Sequence, residues 1–288
     1  MAGLTATQVD RFRDEGFLLV ESVFDPEIAD ELKRELDERV DAFARQAREG
    51  GQLDELYEHE PFARRMARIA EAVDDPSDGL RQLNGKLRTE GMFRVFTEPA
   101  LVDIVESVIG PEILAHPPFN VRAKLPNQDA TVVPWHQDLG YLQPDAEETF
   151  MVNFWIPLVD ATLDNGCMEV ICGSHRTPLF AHEEGLGLAG NFKGVRDEQL
   201  PDGEHVLCPV REGGVLLIQH KTFHRSLANT SEHIRWSLDL RYSDPAMPTG
   251  RDDVPGFIVR SRRQPDSVCA SAAEWNRIVE ASGAQAGH

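Results

Sequence analysis

The sequence has 288 residues, 41% of them hydrophobic and 27% charged, enough apolar material for a packed core and too ordinary a charge content for a disordered chain. Against 29 Lys and Arg stand 49 Asp and Glu, a formal net charge of −20 that repels phosphate backbones and anionic lipid and so argues against nucleic acid or membrane as partners. No apolar run is long enough to span a bilayer, residues 1–16 are too polar for a targeting core, and Cys167, Cys172, Cys208 and Cys269 form no Cys-x-x-Cys pair, so a reduced, cytoplasmic location is expected and a zinc knuckle is not.

The amino-terminal part reads as helical. Thr5 with Gln8 is a capping-box pattern, and Gly16 is a natural stop. FLLVESVF (17–24) predicts a strand. Asp25-Pro26 predicts a helix start, and Ile28, Leu32 and Leu36 recur as one buried face of a helix reaching about Arg48. Residues 50–85 are polar and give no clear element. ALVDIVESVIG (100–110) predicts a further helix closed by Gly110.

From about residue 112 the runs become short, alternating and punctuated by Gly, Pro, Asn and Asp, the texture of antiparallel strands. Strands are expected over 119–125, 131–138, 150–158, 167–172, 205–210, 214–220 and 234–242. Helices followed by strands predict an all-β core with a helical buttress, a barrel or double-sheet jelly roll. We read one domain over 1–288: a mainly helical part (1–111), the core (112–245) and a carboxy-terminal extension (246–288). Residues 180–204 form a long insertion, either a lid or a surface excursion.

Alternation also sorts the faces. In IRWSLDLRY (234–242), Ile234, Trp236, Leu238, Leu240 and Tyr242 share one face, while Arg235, Ser237, Asp239 and Arg241 share the other. In FMVNFWIPL (150–158) one face is apolar, and Asn153 and Trp155 lie on the opposite one. Arg122 and Lys124 alternate with apolar neighbours and could face a pocket or solvent equally well.

PWHQDLGY (134–141) places His136 and Asp138 on one side of an extended segment, with Gln137 on the other. Downstream, GGVLLIQHKTFHRS (213–226) reads as a strand ending in His224. Two histidines and one carboxylate leave open coordination positions that suit iron(II) oxygen chemistry. ANTSEH (228–233) reads as a hairpin turn that would bring Arg235 beside His224. There its guanidinium could hold the far carboxylate of a keto-dicarboxylic acid by a bidentate fork. His220 and His175 read as structural, and VRSRRQPD (259–266) as a surface segment or a flap over the pocket.

These pieces in this order, HQDLGY, NGCMEVICGSHR (165–176) and HRSLANTSEHIRWSLDLRY (224–242), with TATQVDRFRDEGFLLVESVF at the start, resemble the phytanoyl-CoA dioxygenase family of 2-oxoglutarate oxygenases. The resemblance runs from Leu4 to about Tyr242. It implies a double-stranded β-helix, or cupin-like jelly roll, that uses iron(II), 2-oxoglutarate and O2. It also implies metal ligation by His136, Asp138 and His224, a salt bridge from 2-oxoglutarate to Arg235, and a co-substrate site lined by Ser226, Trp155 and Lys86. Related halogenases lack the carboxylate ligand, so Asp138 points to hydroxylation or another oxidation. The competing reading is a non-oxidative metal-binding jelly roll, a cupin-like isomerase or 2-oxoglutarate sensor; zinc hydrolysis on the same ligands is a further one. Neither alternative requires Arg235. The substrate is expected to be a small molecule, neutral or cationic given the charge of −20, with the oligomeric state unread.

Overall fold

The computed structural model describes residues 3–283 apart from Lys86, Pro118 and Asp252. The local signals of the amino-terminal part are realised closely. Thr5 Oγ accepts the Gln8 N–H at 3.3 Å, and Gln8 Oε1 accepts the Thr5 N–H at 3.0 Å, which together cap α1 (Ala6–Glu15). Gly16 ends it at φ +83°, and strand β1 (Phe17–Val20) follows. Asp25 caps a 3-10 turn over Pro26–Ala29 that runs into α2 (Asp30–Glu49), whose Leu32, Leu36, Val40 and Phe43 are buried. The stretch without a clear signal holds two helices, α3 (Phe62–Ala72) and α4 (Ser77–Leu83). Next come α5 (Glu90–Phe96) and α6 (Pro99–Ile109), the latter stopped by Gly110 at φ +88°.

The remainder supplies β2 (Ile113–Ala115), β3 (Asn120–Lys124), β4 (Val152–Pro157), β5 (Met168–Ile171), β6 (Glu183–Leu186), β7 (Phe192–Gly194), β8 (His205–Cys208), β9 (Val215–Gln219), β10 (His224–Ser226), β11 (Arg235–Ser243), β12 (Phe257–Arg260) and the last helix, α7 (Ala272–Ala281). Seven strands form one antiparallel sheet in the order β1-β9-β4-β11-β2-β12, with β3 also paired to β11. β10, β5 and β8 form a second sheet, and β6 and β7 pair alone. The large sheet therefore takes β1 from the amino-terminal part and β12 from the carboxy-terminal extension.

One face of this sheet carries Val121, Ala123, Phe154, Ile156, Leu238, Leu240 and Tyr242, which join the helices in the main core. On the other face Phe17, Trp155, Leu216 and Ile218 pack against Met168, Val170 and Cys208 of the three-stranded sheet. Two sheets face to face, with helices on the outside of the larger, make the expected jelly roll.

Two expectations fail here. Residues 131–138 are not a strand: a 3-10 turn occupies Asp129–Thr131, another begins at Asp138, and His136 meets β10 only in an isolated bridge. Pro134 interrupts the ladder because it has no N–H to donate. Nor do β10 and β11 form a hairpin. They belong to different sheets, and the connection is a crossover in which Asn229 Nδ2 donates to the Lys124 and His233 carbonyls. Arg235 still lines one cavity with His136 and Asp138, because the two sheets face each other.

A candidate iron centre between the sheets

His136 and His224 sit opposite one another across the isolated bridge, exchanging two backbone hydrogen bonds of 3.1 Å each. Their ring centroids are 4.1 Å apart. Each ring nitrogen Nδ1 lies 2.9 Å from a backbone carbonyl, that of Pro134 for His136 and of Thr222 for His224. A carbonyl can only accept, so both Nδ1 atoms carry the proton and both Nε2 lone pairs are free for a metal. Asp138 supplies the third group. Ligand atoms of His136, Asp138 and His224 all lie within 4.8 Å of one another, and all three residues are buried. Two neutral imidazoles and one carboxylate on one side of a point is the donor set that iron(II) takes with open positions remaining.

Burial pushes the His136 imidazole down to about 3, with His224 adding to the effect, so the ring is neutral as a ligand must be. Burial alone would raise the Asp138 carboxyl. Arg241 and the two histidines overcome that and hold it well below the usual carboxylate range. Arg241 Nη2 donates to Asp138 Oδ1 at 2.6 Å, and Asn153 Nδ2 donates to Oδ2 at 2.6 Å. Arg241 and Asn153 are register partners on β11 and β4, which is why both reach one carboxylate.

The cavity beside these residues has a volume of about 260 Å³, and Trp155 and Arg235 line it. Arg235 is buried, its Nη1 donates to Ser237 Oγ, and its guanidinium stands 5.1 Å from the Trp155 ring centroid. Its Nε has no partner, and among the described residues no carboxylate lies within ion-pair distance of it. Burial lowers its pKa to about 10. Lys124, its register partner on β3, is buried too, donates to the Leu227 carbonyl at 2.6 Å and is pushed down to about 6, first by burial and then by Arg235. A buried guanidinium with no anion, beside a lysine that burial and that guanidinium drive toward its neutral form, makes a site for a carboxylate. Ser226 is buried next to the cavity without lining it. Its Oγ accepts the Val133 N–H at 3.1 Å, which leaves the hydroxyl proton to donate. Lys86, the other expected co-substrate residue, lies outside the described residues.

The insertion is an ordered β6–β7 hairpin packed beside the site. Phe192 lines the cavity, the Tyr141 hydroxyl donates to the Lys193 carbonyl, and the Val195 N–H donates to Trp135 O at 2.8 Å. His182 Nε2 accepts the N–H of Gln137, the residue between His136 and Asp138, at 3.0 Å. Sequence reasoning gave neither Tyr141 nor His182 a role: Tyr141 closes the HQDLGY motif, of which only His136 and Asp138 drew a role, and His182 has no companion pattern. Asn153 carried a weak signal in its place on the polar face of β4. His220 is buried beside Phe150, and His175 sits under Gly16 with Nε2 3.0 Å from the Arg13 carbonyl; both lie outside the metal cluster. Residues 259–266 form surface ion pairs, Arg260 with Asp103 and Glu106 and Arg262 with Glu106, and line no part of the cavity.

A jelly roll that gathers two histidines and an aspartate at one end, with a buried unpaired arginine in the same cavity, is the architecture of the non-haem iron, 2-oxoglutarate-dependent oxygenases, and the chain is an enzyme of that class. Residues 12–237 match the family Phytanoyl-CoA dioxygenase (PhyH), and the chain belongs to that family. It is 29% identical over 265 residues to phytanoyl-CoA dioxygenase domain-containing protein 1 of Danio rerio, covering 81% of this chain and 87% of that protein. Among solved structures it resembles the apo form of the non-heme monooxygenase ThoJ, with a TM-score of 0.61, 18% identity and 96% of each chain covered. It also resembles the epimerase SnoN in complex with Fe3+, alpha ketoglutarate and nogalamycin RO, with a TM-score of 0.52, 21% identity, and 85% of this chain and 86% of that chain covered. Among the described residues no helix is long and apolar enough to cross a membrane.

Proposed function

We propose that this protein oxidises a small-molecule metabolite, by hydroxylation or a related C–H oxidation, with His136, Asp138 and His224 as iron ligands and Arg235 as the anchor of 2-oxoglutarate. The observation that carries the reading is the pairing of two sites at one cavity: a cluster of three ligand groups within 4.8 Å of each other, two of which line it, and a buried guanidinium without a carboxylate partner. Iron(II) supplies the open coordination positions at which 2-oxoglutarate and O2 react. In the balanced reaction one oxygen atom of O2 enters the substrate C–H bond, the other enters succinate, and CO2 leaves from the keto acid.

The chain's own groups do the rest. The Pro134 and Thr222 carbonyls orient the two imidazoles, and Arg241 and Asn153 keep Asp138 ionised and aimed. Arg235, with Lys124 and Ser226 nearby, receives the far carboxylate, and Trp155 walls that subsite. The Asp138 carboxylate occupies the place that halide takes in halogenases, which supports oxidation without chlorination.

The test is succinate formation from 2-oxoglutarate by the iron-loaded protein in the presence of O2. We expect succinate that depends on both iron and O2 and rises with added substrate. Protein that holds iron and 2-oxoglutarate yet makes no succinate with any metabolite extract would point to a non-oxidative role. Screening such extracts for the gain of one oxygen mass identifies the substrate.

A further inference from the structure

Arg251 and Arg122 line the same cavity as His136 and Asp138, and neither has a part in the reading above. We propose that they recognise an anionic group, a carboxylate or a phosphate, on the primary substrate; this rests on the oxygenase reading and names the substrate class for that site.

The charge inside the cavity is opposite in sign to that of the chain. Four described arginines line it (Arg122, Arg235, Arg241 and Arg251) against two carboxylates, Asp138 and Asp239, which leaves a formal +2. Iron(II) and 2-oxoglutarate carry opposite and equal charges, so loading both leaves that sum unchanged. The net charge of −20 acts from the exterior and is screened over about 10 Å, whereas groups on the wall act at contact. The neutral or cationic substrate suggested by overall charge therefore does not suit this lining.

Both acids are already occupied. Asp138 holds Arg241 at 2.6 Å, and Asp239 Oδ2 accepts from Arg122 Nε at 2.9 Å. An ammonium group entering here would find no unpaired carboxylate. Arg251 is in the converse position. Its Nη2 donates to the Tyr141 carbonyl at 3.1 Å, its Nε is buried without a hydrogen-bond partner, and among the described residues no carboxylate pairs with it. Arg251 is half-buried, with only its Nε shut off from water and left unsatisfied, and an incoming carboxylate or phosphate would satisfy that nitrogen with two parallel N–H···O bonds. Arg122 has its side chain 43% exposed and uses Nε for Asp239, so its terminal nitrogens can meet the same anion from the mouth side. At about 260 Å³, shared with the co-substrate, the cavity takes in a small head group and leaves the rest of a larger substrate outside.

The experiment uses four probes of similar size, benzoate, phenyl phosphate, benzyl alcohol and benzylammonium. They are titrated calorimetrically without O2 into iron-loaded protein saturated with 2-oxoglutarate, so that Arg235 is already filled. We expect one of the two anions to bind at least about tenfold more tightly than the alcohol or the ammonium ion. Which anion wins separates a carboxylate from a phosphate. Arg251→Met and Arg122→Met should each remove most of that preference while 2-oxoglutarate affinity stays within about twofold. Arg251→Lys, which keeps the charge, should retain part of it. Equal binding of all four probes, tighter binding of the ammonium ion, or undiminished anion preference in the Arg251→Met/Arg122→Met double variant would overturn the proposal. Absence of 2-oxoglutarate binding in the unmodified protein would instead remove the oxygenase reading beneath it.

Discussion

Replacing Arg235 by Met tests the co-substrate site and the fold at once. The guanidinium is buried, hydrogen-bonded to Ser237, and set against Trp155 at 5.1 Å, with no carboxylate in ion-pair reach among the described residues. Losing the charge-assisted partner of a buried carboxylate costs about 2–5 kcal/mol, so 2-oxoglutarate affinity should fall roughly thirty- to several-thousand-fold. The stability of the ligand-free protein should change far less. Exchanging a buried unpaired charge for an apolar side chain stabilises by about 1–4 kcal/mol. The lost ring contact and hydrogen bond each return about 1 kcal/mol. The balance runs from roughly 1 kcal/mol against the variant to about 2 kcal/mol in its favour, a change in Tm of at most several degrees. Calorimetric titration of the iron-loaded variant reads the first effect, and thermal melts without ligand read the second. Saturating 2-oxoglutarate should raise the Tm of the unmodified protein and leave that of the variant unchanged. If Arg235→Met binds 2-oxoglutarate as the unmodified protein does, the arginine is not the anchor; if it loses iron, the two sites are not separable as argued.

Each of His136→Ala, Asp138→Ala and His224→Ala should abolish iron binding and turnover, read by metal analysis after desalting; full iron in any one removes that residue from the set. Asn153→Leu should fold and bind 2-oxoglutarate, yet weaken iron roughly 10–100-fold, because it removes the 2.6 Å donor that aims Asp138. Burial, with neighbouring cations, holds His116 and His136 near 3 and His220 near 4, all below the ordinary 6.5. Their folded values lie below the unfolded one, so the unfolded chain binds the extra protons. Stability is therefore greatest above about pH 6.5 and falls toward 3–4, by about 1.4 kcal/mol per proton per pH unit. Urea midpoints at pH 7, 6 and 5 should decline, and a flat series refutes this. Deleting residues 185–194 should spare iron and 2-oxoglutarate binding but raise succinate formation uncoupled from product, because the hairpin that brings Phe192 to the cavity is gone; unaltered coupling would show that it is no lid.

What could be read in the sequence was whatever the backbone enforces locally. The Thr5–Gln8 box, the Gly16 and Gly110 stops and the two-residue alternation of β4 and β11 each reflect a hydrogen bond or a face that neighbouring residues alone determine. The helix α3 was hidden because its buried face includes Arg65. That residue is paired with Asp37 at 3.2 Å and Asp41 at 2.7 Å on another helix, which breaks the apolar periodicity. The run 131–138 looked like a strand because it is extended and apolar, but Pro134 denies it a ladder. His136 and Asp138 stood out through their spacing, while Arg251 and Tyr141 come from separate loops and meet only in the folded chain, through the Arg251–Tyr141 hydrogen bond.

β11 shows how a one-dimensional alternation becomes a site with sorted charges. Residues two apart on a strand advance roughly 6.6–6.8 Å along one face, so Arg235 and Arg241 stand about 20 Å apart at their Cα atoms, with Ser237 and Asp239 between. The flanking strands complete each row. Lys124 of β3 lies beside Arg235, Arg122 beside Ser237, and Asn120 and Trp155 on either side of Asp239; Asn153 of β4 lies beside Arg241. The row at Arg235 holds a guanidinium with no carboxylate partner among the described residues, suited to the far end of the co-substrate. At Arg241 the row is a pair of donors on Asp138, suited to fixing a metal ligand. The rows between them face the mouth, where Arg122 is the exposed member. Because strand side chains have a period of two, shifting the register by one residue would turn every one of these groups onto the helix-packed face. Leu238, Leu240 and Tyr242 on that face are fully buried, so the energy of the main core is what holds the polar rows in their order.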